Sequence, residues 1–307
     1  MEIIIGSRGS KLALWQSEWV KARLEALEPG VSVRIEIIKT MGDVRLDVPL
    51  STIGGQGAFT KELEVALLDR RVDVAVHSLK DLPTVTPEGL AITATPERAD
   101  PRDALVLRAG AVSENASLKN LAPGAVVGTS SLRRIAQLKH LRPDVLVKDL
   151  RGNVDTRLRK LDSGDYDALI LASAGLRRLG FAERISAAIE PEEMLPAVGQ
   201  GALGIETRSD DAETNALVSR LDNRQTRAAV LAERALLRSL GGGCQVPIAA
   251  HATVEGGRIS LDGLVSTLDG AEILRDRVEG DANNAAGLGE ELAALLLERG
   301  AARLLSN

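Results

Sequence analysis

Apolar strands alternate with helical patterns along the first two thirds of the chain. Residues 3–5 are three consecutive isoleucines and predict a strand, and the apolar spacing of three and four residues over Lys11–Leu27 predicts a helix. Residues 33–38 and 72–76 predict two further strands, with a helix over Lys61–Leu68 between them. This β-α-β-α-β order is typical of a parallel or mixed sheet covered by helices.

The same alternation starts again after Asp100-Pro101 and indicates a second α/β domain. Its predicted strands are residues 126–128, 145–150 and 168–172, and its predicted helices are 132–141, 154–161 and, for the most part, 176–189.

The chain changes character after about residue 219. A predicted helix over 226–240 runs into Gly241-Gly242-Gly243-Cys244. Three predicted strands follow, with turns at Gly256-Gly257 and Asp269-Gly270, and then a helix over 285–298. This order predicts a small α+β domain.

Composition narrows the functional classes. The 307 residues fit two or three domains at roughly 150 residues each, and 44% apolar with 26% charged residues is typical of a globular protein. Aromatic residues make up only 2%, so few rings are available to stack on bases, and a net charge of -5 argues against binding to polyanions. We therefore expect no nucleic acid partner.

The N-terminal residues lack the basic start and long apolar core of a signal peptide, and no apolar run approaches the ~18 residues of a membrane span. The single cysteine, Cys244, cannot form an internal disulfide, which fits a reducing compartment. We expect a cytoplasmic protein that does not contact a membrane.

A strand, a small polar turn and cationic residues at the start of a helix occur together four times. The four stretches are residues 6–11, 128–134, 151–157 and 173–178. Cations at a helix N-terminus oppose the helix dipole, whereas free N–H groups, hydroxyls and arginines together suit an anion. The alternative is that some of these arginines are solvated or paired with nearby carboxylates. Because the stretches are spread over two domains, they favour several carboxylates over one phosphate.

Two further residues are candidates for chemistry. Asp81 follows the strand over 72–76, at the end where ligands bind in α/β proteins, although a turn residue before Pro83 is an alternative. Cys244 follows three glycines, which let the backbone approach a ligand and expose the thiol. An inert buried cysteine is the alternative there.

Two common kinds of site are not supported. The stretch 199–204 matches the dinucleotide fingerprint, but residues 205–207 predict a strand instead of the required helix. His77, His140 and His251 are far apart in the chain, and one cysteine cannot make a thiolate zinc site, so we expect no metal.

These same segments resemble the porphobilinogen deaminase family, also called hydroxymethylbilane synthases, over nearly the whole chain. Seven stretches carry the resemblance, in the same order: SRGSKLALWQ at 7–16, FTKELE at 59–64, AVHSLKD at 75–81, GTSSLRR at 128–134, LRGN at 150–153, LPAVGQG at 195–201, and ER at 233–234 with GGCQVP at 242–247.

The resemblance implies two hinged α/β domains similar to periplasmic binding proteins and a small C-terminal α+β domain. Domain 1 would comprise residues 1–102 with 196–218, domain 2 residues 103–195 and domain 3 residues 219–307. It also implies a monomer with a dipyrromethane cofactor held by a thioether to Cys244. Four porphobilinogens would add in turn, each losing ammonia, before hydrolysis releases hydroxymethylbilane.

Residue roles follow by position from the same resemblance. Asp81 would be the catalytic carboxylate, which stabilises the azafulvene cation left when ammonia departs. The residues implied in binding cofactor and substrate are Arg8, Phe59, Ser78, Lys80, Thr129, Ser130, Ser131, Arg133, Arg134, Arg151, Gly152, Arg157, Arg178 and Gln200. Relatives often carry lysines where this chain has Thr52 and Gln56, so those two roles are not transferred.

Two other functions stay open from the residues alone. One is a non-catalytic, hinged binding protein for a small polycarboxylate, with Cys244 structural. It does not account for the three glycines before Cys244 or need a third domain. The other, weaker alternative is a nucleotide-dependent transferase that uses the stretch 199–204.

Overall fold

The structure is a computed structural model that describes residues 1–41, 60–110, 115–242 and 246–305. The chain forms two compact units, one made of Met1–Ala99 with Ala202–Arg227 and the other of Asp100–Gly201 with Ala228–Asn307. The three domains expected from the sequence, with their boundaries, stay a prediction.

The described residues form thirteen strands and nine α-helices. The strands are β1 (Glu2–Ser7), β2 (Ser32–Ile37), β3 (Val74–Ser78), β4 (Leu90–Ala94), β5 (Asp103–Leu107), β6 (Val126–Gly128), β7 (Leu146–Lys148), β8 (Ala168–Ala172), β9 (Ala187–Ile189), β10 (Leu203–Arg208), β11 (Ile248–Glu255), β12 (Arg258–Ser266) and β13 (Ile273–Asp281). The helices are α1 (Lys11–Leu27), α2 (Lys61–Leu68), α3 (Leu132–Leu141), α4 (Val154–Asp162), α5 (Ser173–Arg178), α6 (Ala212–Val218), α7 (Arg224–Ser239), α8 (Ala285–Glu298) and α9 (Ala301–Leu305).

The first unit contains a five-stranded mixed sheet in the order β2-β1-β3-β10-β4. Strand β1 is parallel to β2 and β3, whereas β10 is antiparallel to β3 and β4. The carboxyl ends of β1 and β3 therefore lie side by side at one edge. That edge carries the residues that follow both strands, including Arg8 and Asp81.

The second unit contains a similar sheet in the order β7-β6-β8-β5-β9. Strand β6 is parallel to β7 and β8, so three carboxyl ends lie at one edge. Strand β5 is antiparallel to β8, and its first residue, Asp103, pairs with Ala172 at the end of β8. The start of β5 therefore lies at the same edge.

The C-terminal part of the second unit is the antiparallel sheet β11-β12-β13 covered by α8. Its core contains Leu236 of α7, Leu261 of β12 and Leu292 of α8, all fully buried. The predicted turns are present, because Gly256 and Gly257 join β11 to β12 with φ of 55° and 79°. The mixed α/β class with a small C-terminal sheet is confirmed.

One prediction was wrong. Residues 176–189 are not mostly helical: α5 ends at Arg178, a short 3₁₀ turn covers Ala182–Arg184, and β9 pairs with β5. Gly180 ends the helix with φ of +78°, and the N–H of Phe181 donates to the carbonyl of Leu176 at 2.8 Å. This is the geometry of a glycine C-cap.

Among the described residues, no helix combines the length and apolar character that a membrane crossing requires.

Candidate functional site

A small cleft of about 70 Å³ lies at the carboxyl edge of the first sheet. Three predicted site residues line it: Arg8 after β1, Ser78 at the end of β3 and Asp81 just beyond it. The cleft is also lined by Gln16 of α1 and by His77. The parallel pairing of β1 with β3 brings these residues together although some 70 positions separate Arg8 from Asp81.

Asp81 is held by a short 3₁₀ turn over Leu79–Asp81. Leu79 is almost fully buried, and its N–H donates to the carbonyl of Ala202 at 3.0 Å. The N–H of Leu82 donates back to the carbonyl of Leu79 at 3.2 Å. The buried leucine fixes the turn while Asp81 itself is exposed. Lys80, in the same turn, is half-buried.

Two contacts beside Asp81 were not predicted from the sequence. Gln16 Nε2 donates to Ser78 Oγ at 2.8 Å, which orients the hydroxyl. His77 Nε2 lies 3.0 Å from Oε2 of Glu206, and both side chains are buried. Glu64 lies near this pair, and burial, reinforced by the charge of Glu206, raises its pKa. The cleft therefore has a polar, partly buried floor.

Helix starts converge at the carboxyl edge of the second sheet. Helices α3 and α4 begin shortly after β6 and β7, and α5 begins directly after β8. Neither Ser131 before α3 nor Asn153 before α4 caps its helix with its side chain. By contrast, Ser10 caps α1 by accepting from the N–H of Ala13 at 3.3 Å. Helix N-termini without a side-chain cap favour an anion from outside.

The hydroxyl residues at this edge tie neighbouring strand ends together. Ser130 Oγ donates to the carbonyl of Leu150 at 2.7 Å and accepts from its N–H at 2.9 Å. Thr129 is buried, and its Oγ1 accepts from the N–H of Ser131 at 3.3 Å. These bonds fix the spacing between the turns that precede α3 and α4.

Arg151 and Arg157 flank a sharp turn. Arg151 Nε donates to Asp149 at 2.9 Å, in a pair whose side chains are 41% and 60% exposed. Arg157 Nε donates to the carbonyl of Gly152 at 2.7 Å. Gly152 has φ of 108°, and a Cβ there would lie 2.9 Å from Cγ2 of Thr156. Glycine is thus required for the turn that places Arg151.

Arg133, Arg134 and Gln200 surround a carboxylate that was not among the predicted residues. Arg133 Nη1 donates to Asp103 Oδ2 at 2.7 Å, and Arg134 Nε and Nη2 donate to Oδ1 at 3.0 and 2.7 Å. Gln200 Nε2 adds a bond to Oδ1 at 2.9 Å. All four side chains are buried. The sequence signal that could have pointed to Asp103 is its position directly before the apolar run 104–107.

Arg178 lies at the end of α5, and its Nη2 donates to the carbonyl of Gly201 at 2.7 Å. Burial lowers the pKa of Arg178 to about 10, because removing a guanidinium from water disfavours its charged form. Bringing a carboxylate near it would reverse this effect.

Comparison with known protein families decides between the open alternatives. Residues 3–216 match the model described as porphobilinogen deaminase, dipyromethane cofactor binding domain. Residues 227–298 match the porphobilinogen deaminase C-terminal domain. The chain belongs to the porphobilinogen deaminase family.

Individual relatives agree with this assignment. The porphobilinogen deaminase of Pelobacter propionicus is 51% identical over 304 residues, covering 99% of this chain and 96% of the relative. That of Chromobacterium violaceum is 52% identical over 305 residues, covering 99% and 97%. The family resemblance, and with it membership of an enzyme family, is confirmed.

Among solved structures, a TRAP periplasmic solute binding protein from Desulfovibrio salexigens is 13% identical with a TM-score of 0.44, covering 74% of this chain and 73% of that one. The methionine binding protein MetQ is 14% identical with a TM-score of 0.44, covering 72% and 89%. Likeness at this level carries no information about what this chain binds.

The residues at the second-sheet edge fit the dipyrromethane that the family's first domain is described as binding. Dipyrromethane carries acetate and propionate groups, so it needs several cationic donors. The edge offers the guanidiniums of Arg151 and Arg178 and the uncapped starts of α3 and α4. Nε of Arg133 is also buried there without an acceptor among the described residues. Donors of this kind complement carboxylates.

Several predictions fall outside the described residues, namely those for Phe59 and Cys244 and the departures at Thr52 and Gln56. The stretch 199–204 leads into β10, so the predicted strand is confirmed and the helix of a dinucleotide site is missing. In the part of the chain that the structure describes, no group of three or more His, Cys, Asp or Glu side chains is arranged to hold a metal ion.

Proposed function

We propose that this chain is a porphobilinogen deaminase that works on a dipyrromethane attached to Cys244. Four porphobilinogens join in turn, each losing ammonia, and hydrolysis then releases hydroxymethylbilane. The observation that supports this most is the convergence of uncapped helix starts and arginines at one edge of the second sheet. A polycarboxylate substrate is the ligand that such an edge complements.

The arginines at this edge would hold the acetate and propionate groups. Arg151 is suited to exchange partners, because its pair with Asp149 is largely exposed. Exposed pairs contribute about 0–1 kcal/mol, so a ligand carboxylate can replace Asp149 at little cost. Thr129 and the N–H groups at the starts of α3 and α4 would add neutral donors.

Asp81 would act on the reacting unit. Departure of ammonia from porphobilinogen leaves a cation, and a fixed carboxylate stabilises that charge. The buried Leu79 and the short turn hold Asp81 in place, and Arg8 and Ser78 line the same cleft. In that cleft Arg8 would bind a substrate carboxylate and Asp81 would face the developing positive charge.

Cys244 would attach the cofactor through a thioether, as the family resemblance implies. When bound, dipyrromethane supplies the pyrrole carbon to which the first substrate unit is joined. We also propose that the protein acts as a monomer in the cytoplasm, with no nucleic acid or membrane partner.

The experiment that tests this function is a mass balance. Purified protein is incubated with porphobilinogen, and the substrate consumed, the ammonia released and the tetrapyrrole formed are measured. The proposal predicts four molecules of substrate and four of ammonia per hydroxymethylbilane. Binding of porphobilinogen without consumption would instead identify a binding protein. Light scattering on the same sample tests the monomer.

A further inference from the structure

Asp103 occupies a special position in the second sheet. It is the first residue of β5, which runs antiparallel to β8, and it pairs with Ala172 immediately before α5. Its side chain is fully buried at the edge where α3, α4 and α5 begin. A carboxylate buried there destabilises the fold unless positive groups pair with it, because burial disfavours its charged form.

The two arginines of α3 are immobilised by this carboxylate. Arg134 uses all three of its nitrogens, since Nε and Nη2 bind Asp103 and Nη1 donates to the carbonyl of Ile170 at 2.9 Å. Arg133 Nη1 binds both Asp103 and the carbonyl of Leu195, at 2.7 and 2.8 Å. The positions of both guanidiniums therefore depend on one side chain.

The cluster does not balance its own charge. Two buried guanidiniums face one carboxylate, and although burial alone would raise the pKa of Asp103, the two arginines hold it well below its usual range. Asp103 is therefore ionised and one positive charge is in excess. Nε of Arg133 is buried without an acceptor among the described residues. A buried excess charge is stable only with a counter-charge.

A second buried arginine shows the opposite balance. Arg208 in the first unit is 5% exposed and pairs with two carboxylates, Asp73 at 2.9 Å and Asp211 at 2.6 Å. There the carboxylates outnumber the guanidinium. Nε of Arg208 is also buried without an acceptor among the described residues, so an unpaired Nε does not by itself indicate a ligand, and the two clusters differ in their charge balance. An excess of buried positive charge therefore distinguishes the Asp103 cluster from the Arg208 cluster.

We infer that Asp103 is a positioning residue, which holds Arg133 and Arg134 so that their excess charge meets a carboxylate of the dipyrromethane or of the growing chain. This inference rests on the proposed function. Asp103 does not touch the ligand and acts only through the two arginines. Gln200 supports it by donating to Oδ1 and to the carbonyl of Pro101 at 2.7 Å.

The test compares Asp103→Asn with Asp73→Asn, a matched change at the Arg208 cluster. Three quantities are measured for each: the melting temperature, the fraction of protein carrying dipyrromethane by intact mass, and KM and kcat of the loaded fraction. Both variants are expected to melt earlier than wild type. Only Asp103→Asn is expected to lose dipyrromethane and to raise KM, by about tenfold to a hundredfold, the range for a charged hydrogen bond.

Asp103→Glu is measured in parallel, because it keeps the charge and shifts it by one methylene. A reduced fraction of Asp103→Glu protein carrying dipyrromethane supports the positioning role of Asp103. If Asp103→Asn does not fold, the Asp103→Glu result alone tests the inference. Full occupancy and an unchanged KM in whichever variants fold would overturn the inference, leaving Asp103 a stability residue. Wild-type protein with neither adduct nor turnover would instead overturn the proposed function, and the inference with it.

Discussion

Arg134 donates two hydrogen bonds to a single oxygen of Asp103, from Nε at 3.0 Å and from Nη2 at 2.7 Å, and both side chains are buried. Arg151 shares only one bond with Asp149, at 2.9 Å, and both of those side chains are exposed. Arginines that look equivalent in the sequence therefore differ in how much of the fold depends on them.

The two arginines should respond differently to replacement by leucine. Arg134→Leu breaks a buried ion pair and should lower the free energy of unfolding by about 3 kcal/mol, whereas Arg151→Leu should change it by less than about 1 kcal/mol. Arg151→Leu should nevertheless weaken porphobilinogen binding by about tenfold or more, because it removes a charged hydrogen bond. Denaturant unfolding and KM measure the two effects.

Arg151→Lys is the control, since it keeps the charge but loses the planar fork, and partial recovery of KM is expected. Full activity in Arg151→Leu would show that Arg151 is a solvated surface residue without a role in binding.

The stability that Asp103 contributes should depend on pH in one direction. Its pKa in the folded protein lies below the ordinary value of about 3.9, since the two arginines outweigh the effect of burial. Its contribution is therefore complete above about pH 4 and is lost as pH falls through the lower folded value. The difference in unfolding free energy between wild type and Asp103→Asn should be constant from pH 7 to about pH 5 and shrink below about pH 4.

Asp144→Asn serves as the control for this measurement. Asp144 also pairs with an arginine, Arg142, but it is exposed. The difference in unfolding free energy from wild type is compared for Asp103→Asn and Asp144→Asn as the pH falls. If it shrinks equally for both variants, the effect is not particular to the buried cluster.

Gly152→Ala should impair both stability and ligand binding. The left-handed backbone costs an alanine roughly 1 kcal/mol, and the new Cβ would also meet Thr156 at 2.9 Å. Gly30→Ala is the matched control, because Gly30 has φ of 94° but nothing within 4 Å of its Cβ. Only Gly152→Ala should raise KM, since only that turn places Arg151. Equal losses of stability with normal KM in both variants would contradict the role of the turn.

Asp81→Asn should separate chemistry from binding. Removing the negative charge while keeping the shape should lower turnover by about 10²–10³-fold, by analogy with loss of one preorganised electrostatic group. Binding should change little, because the arginines hold the substrate. Single-turnover formation of the first substrate adduct, on protein that carries dipyrromethane, measures this. Asp69→Asn, at an exposed position in the same unit, should leave the rate unchanged. A normal rate in Asp81→Asn would make Asp81 a turn residue.

Local patterns predicted much of the fold. The bounds of α1, α2 and α8 follow from apolar spacing and match the structure residue for residue. The prediction of a helix after Arg178 was wrong because a three-residue edge strand, β9, leaves no periodic signal. It is stabilised by pairing with β5.

The candidate site was predictable as a set of residue types but not as a network. The sequence pointed to Arg133, Arg134 and Gln200 but not to the carboxylate that joins them. Asp103 lies 30 and 97 residues from Arg133 and Gln200 along the chain, and only the topology of the sheet brings them together. Gln16 beside Ser78 was missed for the same reason.

The proposed function requires that the tetrapyrrole is built on a pyrrole chain anchored to Cys244. Intact-protein mass spectrometry of freshly purified protein, followed by peptide mapping, tests it most directly. We expect an added mass equal to one dipyrromethane, located on the peptide that contains Cys244. It should be absent from folded Cys244→Ser, since a hydroxyl is a far poorer nucleophile than a thiolate. A mass equal to the bare polypeptide in every preparation would contradict it.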